Sequence, residues 1–389
     1  MKLRKNERKV MPKVLMFHPA LPPYRIDMFN ALSERLNLRI VFFLENAVEQ
    51  KFDQKQLREK LKAKYVYLLK GFKIFGRVFR LGIRDEIRSF KPDIIITTEF
   101  SQSTILVWLE NHLFGKKIQH VVMTDDNPER IKEDNVIRKL IRRIIITQLD
   151  GLIVVSDECA EMFKIKYRIN LPIASCPILQ SESIFRKKLS MANREADKLA
   201  AAYKLYGKRV FLYVGRLADV KRVDRLISAF GVIHESIQDA VLVIVGDGPE
   251  RDKLKKLTES LGLLKKVIFA GHCEGSQLYA WYRIGSLFVL TSEHEPFGCV
   301  VNEALLSGMP VICSNVAGAA TLIRTNVNGT VIDAENSLEL QTVLREWLKK
   351  IKPLSKKNIL TLKRSRMLIK FDDVVNQVTD LLMKIGNEK

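Results

Sequence analysis

Two carboxylates flank a proline–glycine turn in the second half of the chain. Glu295 is followed by Pro296, Phe297 and Gly298, and Glu303 lies further along the same segment. The segment follows a short apolar run, which predicts a strand that turns into a helix with its first backbone N–H groups at the turn. Such a terminus binds anions, and carboxylates, which only accept hydrogen bonds, suit ligands rich in hydroxyls. The spacing therefore predicts a site for an anion that carries a sugar.

A second predicted strand-to-helix turn holds two cations. Arg216 follows Gly215 at the end of the apolar run 210–214, and Lys221 stands where the next helical pattern begins. An arginine fork beside a lysine point charge is a common clamp for a diphosphate. Taken alone, Arg216 and Lys221 could be a solvated surface pair. Beside the carboxylate segment they predict a nucleoside diphosphate with a sugar attached.

An acidic pair in the first half, Asp125 and Asp126, follows the predicted strand 120–123. At the carboxyl end of a strand, either carboxylate could orient or deprotonate an acceptor hydroxyl, or stabilise positive charge on a transferred sugar. The alternative is that both residues cap the turn and the next helix. The sequence shows no further cluster of metal ligands, so we expect neither a metal nor another cofactor.

Basic residues recur at intervals of three and four between residues 70 and 91. On one helix they would form a single stripe, and the phenylalanines between them would suit an anionic lipid surface or a phosphorylated lipid acceptor. Gly71, Gly76 and Gly82 argue against an unbroken helix, and a solvated helix face is the alternative. The members of this basic run are Lys70, Lys73, Arg77, Arg80, Arg84, Arg88 and Lys91.

Short runs rich in valine and isoleucine alternate with helical spacing along the whole chain, as is typical of parallel strands with crossover helices. We expect domains at residues 1–190 and 205–368 and a terminal helix within 369–389. The segment 185–208 lacks strand character and is rich in lysine, arginine and alanine, so we expect the connection between the domains there. The predicted strands lie near 14–17, 38–43, 93–97, 120–123, 151–155 and 173–176, and then near 210–214, 241–245, 267–270, 287–290, 311–314 and 330–333.

The chain has 389 residues and a formal net charge of +21, most of it in the first 190 residues. This basicity predicts anionic binding partners: nucleic acid, acidic lipid or phosphorylated small molecules. No helix-turn-helix, zinc or RNP-like pattern accompanies it, so nucleic-acid binding is only a remote alternative. Five scattered cysteines argue against a disulfide framework. We expect a cytoplasmic protein with no signal peptide and no membrane span, because the longest apolar run, 144–155, is too short.

The second half resembles the donor domain of the retaining GT-B fold glycosyltransferases of glycosyltransferase family four (group 1). The resemblance covers residues 210–333 and rests on Gly215-Arg216 with Lys221, the turn 245–249, the segment 269–271 and the spacing from Glu295 to Glu303. It implies an α/β protein with two Rossmann-like domains of mainly parallel sheet that face each other across a cleft. It also implies that the terminal helix returns to the first domain.

The resemblance assigns roles on the donor side. Arg216 and Lys221 would hold the diphosphate and Glu303 the ribose, while Glu295 and the N–H groups of the following turn would handle the sugar. The loop after Gly271 would lie beside the base, although His272 alone is more ordinarily a solvent-facing residue. The expected donor-side residues are Gly215, Arg216, Lys221, Gly271, His272, Glu295, Phe297, Gly298, Cys299, Val300 and Glu303.

The first half departs from the family pattern, which has a glycine-rich loop after the first strand and a His-Asp pair after the fourth. Here the segment 18–25 lacks paired glycines, and Thr124 precedes Asp125. We place His18, Tyr24, Arg25, Lys73, Arg77, Arg80 and Arg84 on the acceptor or membrane side, and Glu295, Arg216, Lys221, Asp126 and Asp125 among the catalytic candidates.

The function expected from these residues and the resemblance is retaining, metal-independent sugar transfer from a nucleotide sugar to a hydroxyl acceptor. The acceptor would be a lipid-linked or surface-polysaccharide intermediate or another saccharide. The protein would then work in the cytoplasm, at the inner face of the plasma membrane if the basic run binds anionic lipid. A sugar-nucleotide epimerase or a phosphorylase of the same fold is the alternative.

Overall fold

The computed structural model of the protein describes residues 11–46, 52–74, 77–113, 118–132, 136–234 and 238–387. The chain divides into two compact units. The first unit runs to Pro177 and also takes in the chain from Asp372 onward, and the second comprises Ile178–Phe371.

Seven parallel strands form the sheet of the first unit, in the order β3-β2-β1-β6-β7-β8-β9. The strands of this unit are β1 Lys13–His18, β2 Asn37–Phe42, β3 Lys64–Tyr67, β4 Gly71–Ile74, β5 Arg77–Arg80, β6 Ile94–Thr98, β7 Gln119–Met123, β8 Gly151–Val154 and β9 Ile173–Ser175. Its helices are α1 Ile26–Ser33, α2 Gln54–Lys60, α3 Ile83–Phe90, α4 Gln102–Leu113, α5 Pro128–Lys132, α6 Val136–Ile146 and α7 Asp157–Tyr167.

Every strand predicted in the first half lies in this sheet, and β3 is a member of the sheet that the sequence did not predict; β4 and β5, outside the sheet, were not predicted either. β3 pairs with β2 at the edge of the sheet, and its residues are exposed or half-buried. A strand at the edge of a sheet need not be a continuous apolar run, so a prediction based on apolar runs does not detect it.

The basic run between residues 70 and 91 is not one helix, in agreement with its three glycines, so the single stripe that one helix would give does not form. Strands β4 and β5 form an antiparallel pair in which the rings of Phe72 and Phe79 stack at 5.6 Å. Gly82 then takes a φ of 94° and α3 begins directly after it. Because side chains alternate between the two faces of a strand, the three-and-four spacing does not place these cations on one face.

Six parallel strands form the sheet of the second unit, in the order β12-β11-β10-β13-β14-β15. The strands are β10 Arg209–Val214, β11 Ala240–Val245, β12 Val267–Gly271, β13 Leu287–Leu290, β14 Val311–Ser314 and β15 Gly329–Ile332, and each matches a predicted run. The helices are α8 Glu182–Met191, α9 Asn193–Ala202, α10 Val223–His234, α11 Arg251–Ser260, α12 Gly275–Ile284, α13 Cys299–Leu306, α14 Ser337–Lys350 and α15 Lys356–Leu360.

The division between the units lies before residue 190, where we expected the first domain to end. Helices α8 and α9 pack on α12 and so belong to the second unit. Phe185 of α8 is fully buried against the edges of Tyr279 and Tyr282. Lysine, arginine and alanine therefore mark amphipathic helices here, and a linker was the wrong interpretation of that composition.

The last helix, α16 Phe371–Asn387, is grouped from Asp372 onward with the first unit. Its apolar face is buried, and a Cβ added at Gly386 would lie 3.1 Å from Cβ of Pro12. Among the described residues, no helix is both long enough and apolar enough to cross a membrane.

Candidate functional site

The loops that follow β10, β11 and β12 are joined at the carboxyl edge of the second sheet. The N–H of Gly246 donates to the carbonyl of Gly271 at 2.7 Å, and the N–H of Leu217 donates to the carbonyl of Asp247 at 2.9 Å. A Cβ added at Gly246 would lie 1.9 Å from the carbonyl oxygen of Gly215. Only glycine fits at that approach, so the glycine turn after β11 has a sufficient structural reason.

Lys221 and Glu295, which are far apart in sequence, meet at this edge. The Nζ of Lys221 lies 2.6 Å from Oε2 of Glu295, and the two side chains are only 17% and 13% exposed. Thr291 fastens the same two loops, because its hydroxyl lies 3.1 Å from the carbonyl oxygen of Lys221. The loops after β10 and β13 therefore present one ammonium and one carboxylate side by side.

Gly298 forms the sharp turn into α13. It has a φ of 92°, and an added Cβ would lie 3.1 Å from Leu290 and 3.2 Å from Cγ of Glu295. Any other residue would be strained there and would press on the site carboxylate. Because α13 starts directly after this turn, its first N–H groups, from Cys299 and Val300, stand at the carboxyl edge of the sheet. Phe297 is buried, and its carbonyl accepts the N–H of Ala319 at 2.7 Å.

Glu303 is held in place by two donors that the sequence did not reveal. The hydroxyl of Tyr282 donates to Oε2 at 2.6 Å, and the amide of Gln180 donates to Oε1. Burial raises the pKa of the Glu303 carboxyl. Tyr282 and Gln180 belong to segments far from the motif, so no local spacing could have found them.

Arg216 and His272 stand at the same edge but face solvent. Arg216 is exposed, and its carbonyl accepts the hydroxyl of Tyr213 at 3.2 Å. His272 is 69% exposed, with its Nε2 2.9 Å from a carboxylate oxygen of Glu274. The donor-side candidates therefore lie along one edge of the sheet. Among them, Lys221 contacts Glu295 directly, and the turn at Gly298 lies next to Glu295.

The first unit has a cavity of about 170 Å³ at the carboxyl ends of β1, β6 and β7. It brings together four residues predicted separately, His18, Tyr24, Arg25 and Asp125, and adds Glu99. The sheet order reverses between β1 and β6, which is where ligands bind in open parallel sheets.

His18 enters this cavity as a neutral side chain. Its Nδ1 lies 2.7 Å from the carbonyl oxygen of Ala20, which can only accept, so Nδ1 carries the proton. Burial, together with the charge of Arg25, lowers the pKa of His18 to about 4. At neutral pH its Nε2 is therefore a hydrogen-bond acceptor.

The two adjacent aspartates differ in their surroundings. Asp125 lines the cavity, is 36% exposed and forms an ion pair with the buried guanidinium of Arg25. Asp126 is fully buried, bonds Arg142 through Oδ2 and lies 3.5 Å from Nε of Arg130 through Oδ1. Asp126 thus ties α5 and α6 to the end of β7 and does not line the cavity.

Glu99 is a cavity residue that the sequence did not single out. The hydroxyl oxygen of Thr124 lies 3.0 Å from a carboxylate oxygen of Glu99 and 3.0 Å from one of Asp126. One hydroxyl has a single proton, so one of the two carboxyl groups must supply another. Asp126 faces two arginines, and the proton therefore belongs on Glu99. Burial and the charges of Asp126 and Asp125 raise the pKa of Glu99 to about 7.

The predicted membrane-side cations are only partly described. Arg80 donates to the carbonyl of Leu69, and Arg84 lies 2.9 Å from a carboxylate oxygen of Glu110. The side chains of Lys73 and Arg77 lie outside the described part of the chain.

Comparisons with known proteins agree with this architecture. The chain aligns over 96% of its length with the whole chain of the Anabaena protein HepE in complex with UDP, at a TM-score of 0.72 and 18% identity. The chain has the GT-B fold. Within the second unit of this GT-B chain, residues 196–358 match the family model described as glycosyl transferases group 1.

Two curated relatives match part of the GT-B chain. An uncharacterized glycosyltransferase of Methanocaldococcus jannaschii is 37% identical over 36% of this chain and 37% of its own length. A GDP-mannose-dependent alpha-mannosyltransferase of Corynebacterium glutamicum is 34% identical over 41% of this chain and 35% of its own. The GT-B chain thus spans well under half the length of both relatives. The family model and both relatives are described as glycosyltransferases.

Proposed function

We propose that the protein transfers a sugar from a nucleotide-diphosphate sugar to a hydroxyl acceptor, with retention at the anomeric carbon and without a metal. The observation that carries the proposal is the contact between Lys221 and Glu295 beside the turn at Gly298. An ammonium, a carboxylate and a helix N-terminus at one sheet edge fit the three parts of such a donor: the diphosphate, the sugar hydroxyls and the departing charge.

On the donor side, the leaving diphosphate gains charge as its bond to the sugar breaks. Lys221 has N–H donors beyond the one that faces Glu295, and the N–H groups at the start of α13 add a positive dipole end. Arg216 brings a planar fork that can hold two phosphate oxygens. Lys221, held by Glu295, and the N–H groups of α13 are in place before reaction, which is the arrangement that stabilises developing charge without reorganisation.

On the acceptor side, the small cavity of the first unit recognises a hydroxyl. Its groups are the carboxylate of Asp125, the acceptor Nε2 of His18 and the carboxyl of Glu99, which donates when protonated. Asp125 is the group that accepts the hydroxyl proton in this proposal, because Asp126 is fully buried between arginines. The hydroxyl belongs to a lipid-linked or surface-polysaccharide intermediate, on the cytoplasmic side of a membrane.

A thermal-shift panel of UDP-, GDP- and ADP-sugars, with and without chelator, tests the donor half of the proposal. A ligand that binds only the folded protein raises the melting temperature with its concentration. We expect one base to give the largest shift, chelator to leave it unchanged, and Arg216→Ala to abolish it. Lys255→Ala, on the exposed face of α11, is the matched control and keeps the shift. If no nucleotide sugar raises the melting temperature, the proposal fails.

A further inference from the structure

The second unit has a larger cavity at the opposite edge of its sheet. Its volume is about 740 Å³, and its wall includes Ser286, Pro310 and Asn328, which directly precede β13, β14 and β15. The segment 350–368 closes the rest of the wall. The donor-side loops follow the strands, whereas this cavity lies where three of the strands begin, so it is separate from the site described above.

Five cations line this amino-edge cavity, and none of its lining residues is acidic. They are Lys350, Lys352, Lys363, Arg364 and Arg366. In the described part of the chain, no carboxylate forms an ion pair with any of the five. Like charges gathered around one space repel one another, and an anion that enters it removes that repulsion.

Two of the five cations also serve the fold. The Nζ of Lys363 bonds the carbonyl of Gly285 at the end of α12, and Nε of Arg366 lies 3.2 Å from the carbonyl of Gly308 beyond α13. Cations are favourable at the carboxyl ends of helices, so these two bonds explain why positive charge gathers at this edge. Lys350 is the last residue of α14, and its Nζ lies 5.0 Å from the centre of the Trp347 ring, so it too has a structural contact. In the described part of the chain, Lys352 and Arg364 hold no backbone carbonyl through their side chains and form no ion pair.

A buried arginine adds to the positive charge behind the wall. Arg283 is 4% exposed, and its Nε and Nη2 have no hydrogen-bond partner among the described residues. Burial and the charges of Arg283 and Arg366 lower the pKa of Lys363 to about 8. The cationic side chains here therefore have more hydrogen-bond donors than the acceptors that the surrounding protein offers them.

Apolar side chains complete the wall. Trp347, Ile351 and Met367 line the cavity, and Val327 and Leu368 are 47% and 51% exposed beside the cations. We propose that this amino-edge cavity binds a multiply charged phosphate, either in a phospholipid head group or in a soluble phosphate compound. The cations recognise the phosphate and the exposed apolar side chains lie against the part of the ligand that carries it.

The test replaces cavity cations that hold no backbone carbonyl, as Lys352→Gln with Arg364→Gln. The control is Lys255→Gln with Lys256→Gln, which removes the same charge from the exposed face of α11. All proteins carry Arg216→Ala, so that the donor site does not add to the phosphate signal. The two probes are pyrophosphate, followed by calorimetry, and vesicles of phosphatidylcholine with or without phosphatidic acid, whose head group is a phosphate monoester, followed by sedimentation.

We expect the cavity variant to bind at least one probe about tenfold more weakly than the control, with an effect that shrinks as salt is added. Loss for pyrophosphate alone identifies a soluble phosphate as the ligand, and loss for anionic vesicles alone identifies a head group. Equal binding of both probes by cavity variant and control would overturn the proposal. In a protein that keeps Arg216, the cavity variant leaves the nucleotide-sugar shift unchanged, which separates this proposal from the proposed function.

Discussion

The carboxyl edge of the second sheet, where we propose that the donor binds (the donor-side edge), and the carboxyl edge of the first, where we propose that the acceptor binds (the acceptor-side edge), are both built from loops that follow parallel strands. The two edges differ in how their charged groups are arranged. At the donor-side edge, Lys221 and Glu295 pair where solvent still reaches the loops. At the acceptor-side edge, Asp126 is buried between arginines and Glu99 shares Thr124 with it. The first arrangement suits a charged ligand, and the second pairs its own charges, Arg25 with Asp125, around a cavity that suits a hydroxyl.

The largest expected effect on activity comes from replacing Lys221 at the donor-side edge. Lys221→Met deletes the ammonium and leaves Glu295 without its ion-pair partner. We expect the turnover number to fall by about 10²- to 10³-fold, the scale found when one preorganised charge-stabilising donor is removed. Initial rates of nucleotide release, measured with saturating donor, check this. Lys255→Met is the control, and an equal loss in the control would contradict the role of Lys221.

Substitutions of the adjacent Asp125 and Asp126 should differ in their effect on activity per folded molecule. Asp125→Asn should lower turnover about 10²-fold, because it removes the cavity carboxylate that takes the proton. Asp126→Asn should leave activity per folded molecule nearly unchanged but lower the free energy of unfolding by about 3 to 5 kcal/mol, since the buried Arg142 loses its charged partner. Asp125→Asn also removes the ion pair of a buried guanidinium, that of Arg25, so the loss of activity per folded molecule is the effect expected of Asp125→Asn alone. Chemical denaturation and activity per folded molecule distinguish the two. Similar activity losses in both folded variants would contradict the assignment.

The protonation of Glu99 predicts a dependence of stability on pH. Its pKa is raised to about 7 in the folded chain, so the folded state holds this proton while the unfolded state releases it near the ordinary carboxyl value. This contribution to stability is complete at low pH and is lost as pH rises through about 7. Glu99→Gln keeps a neutral donor, so it should be more stable than the parent by about 1 to 3 kcal/mol at about pH 8 and similar at about pH 4.5. A constant difference across that range would contradict a protonated Glu99.

The smallest expected effect concerns the positioning of Glu303. Tyr282→Phe removes one of its two hydrogen-bond donors and leaves Gln180 in place. We expect donor affinity to fall by about three- to tenfold, in line with the net value of one hydrogen bond. Titration calorimetry with the best nucleotide sugar measures this. Tyr203→Phe, at a half-exposed ring away from Glu303, should leave affinity unchanged. The role fails if both variants bind alike.

The difference between the two edges also explains how much of each candidate site could be predicted from the sequence. The second unit's candidate site comes mostly from two continuous segments, so spacing in the sequence was enough to single out Arg216, Lys221, Glu295 and Gly298 as candidates. The first unit's cavity takes one or two residues from each of several strand ends, and Glu99 follows β6 with no motif around it. Glu99 gains its importance from Thr124 and Asp126, which only the folded sheet brings near.

The errors about local structure have a similar origin. Intervals of three and four suggested a helix between residues 70 and 91, but glycines interrupt the run and β4 and β5 pair there. The segment 185–208 lacked strand character and was taken for a linker, whereas α8 and α9 pack on α12. Between residues 70 and 91 two short strands pair with each other, and the partner of α8 and α9 lies outside their segment, so a count of local intervals detects neither arrangement.

The most direct test of the central claim is calorimetric titration of the purified protein with nucleotide sugars, in the presence of chelator. The account predicts saturable binding of one nucleotide sugar, loss of that binding in Arg216→Ala and Lys221→Met, and unchanged binding in Asp125→Asn, which belongs to the other unit. Binding that survives both donor-side changes, or that no nucleotide sugar produces, would contradict the account.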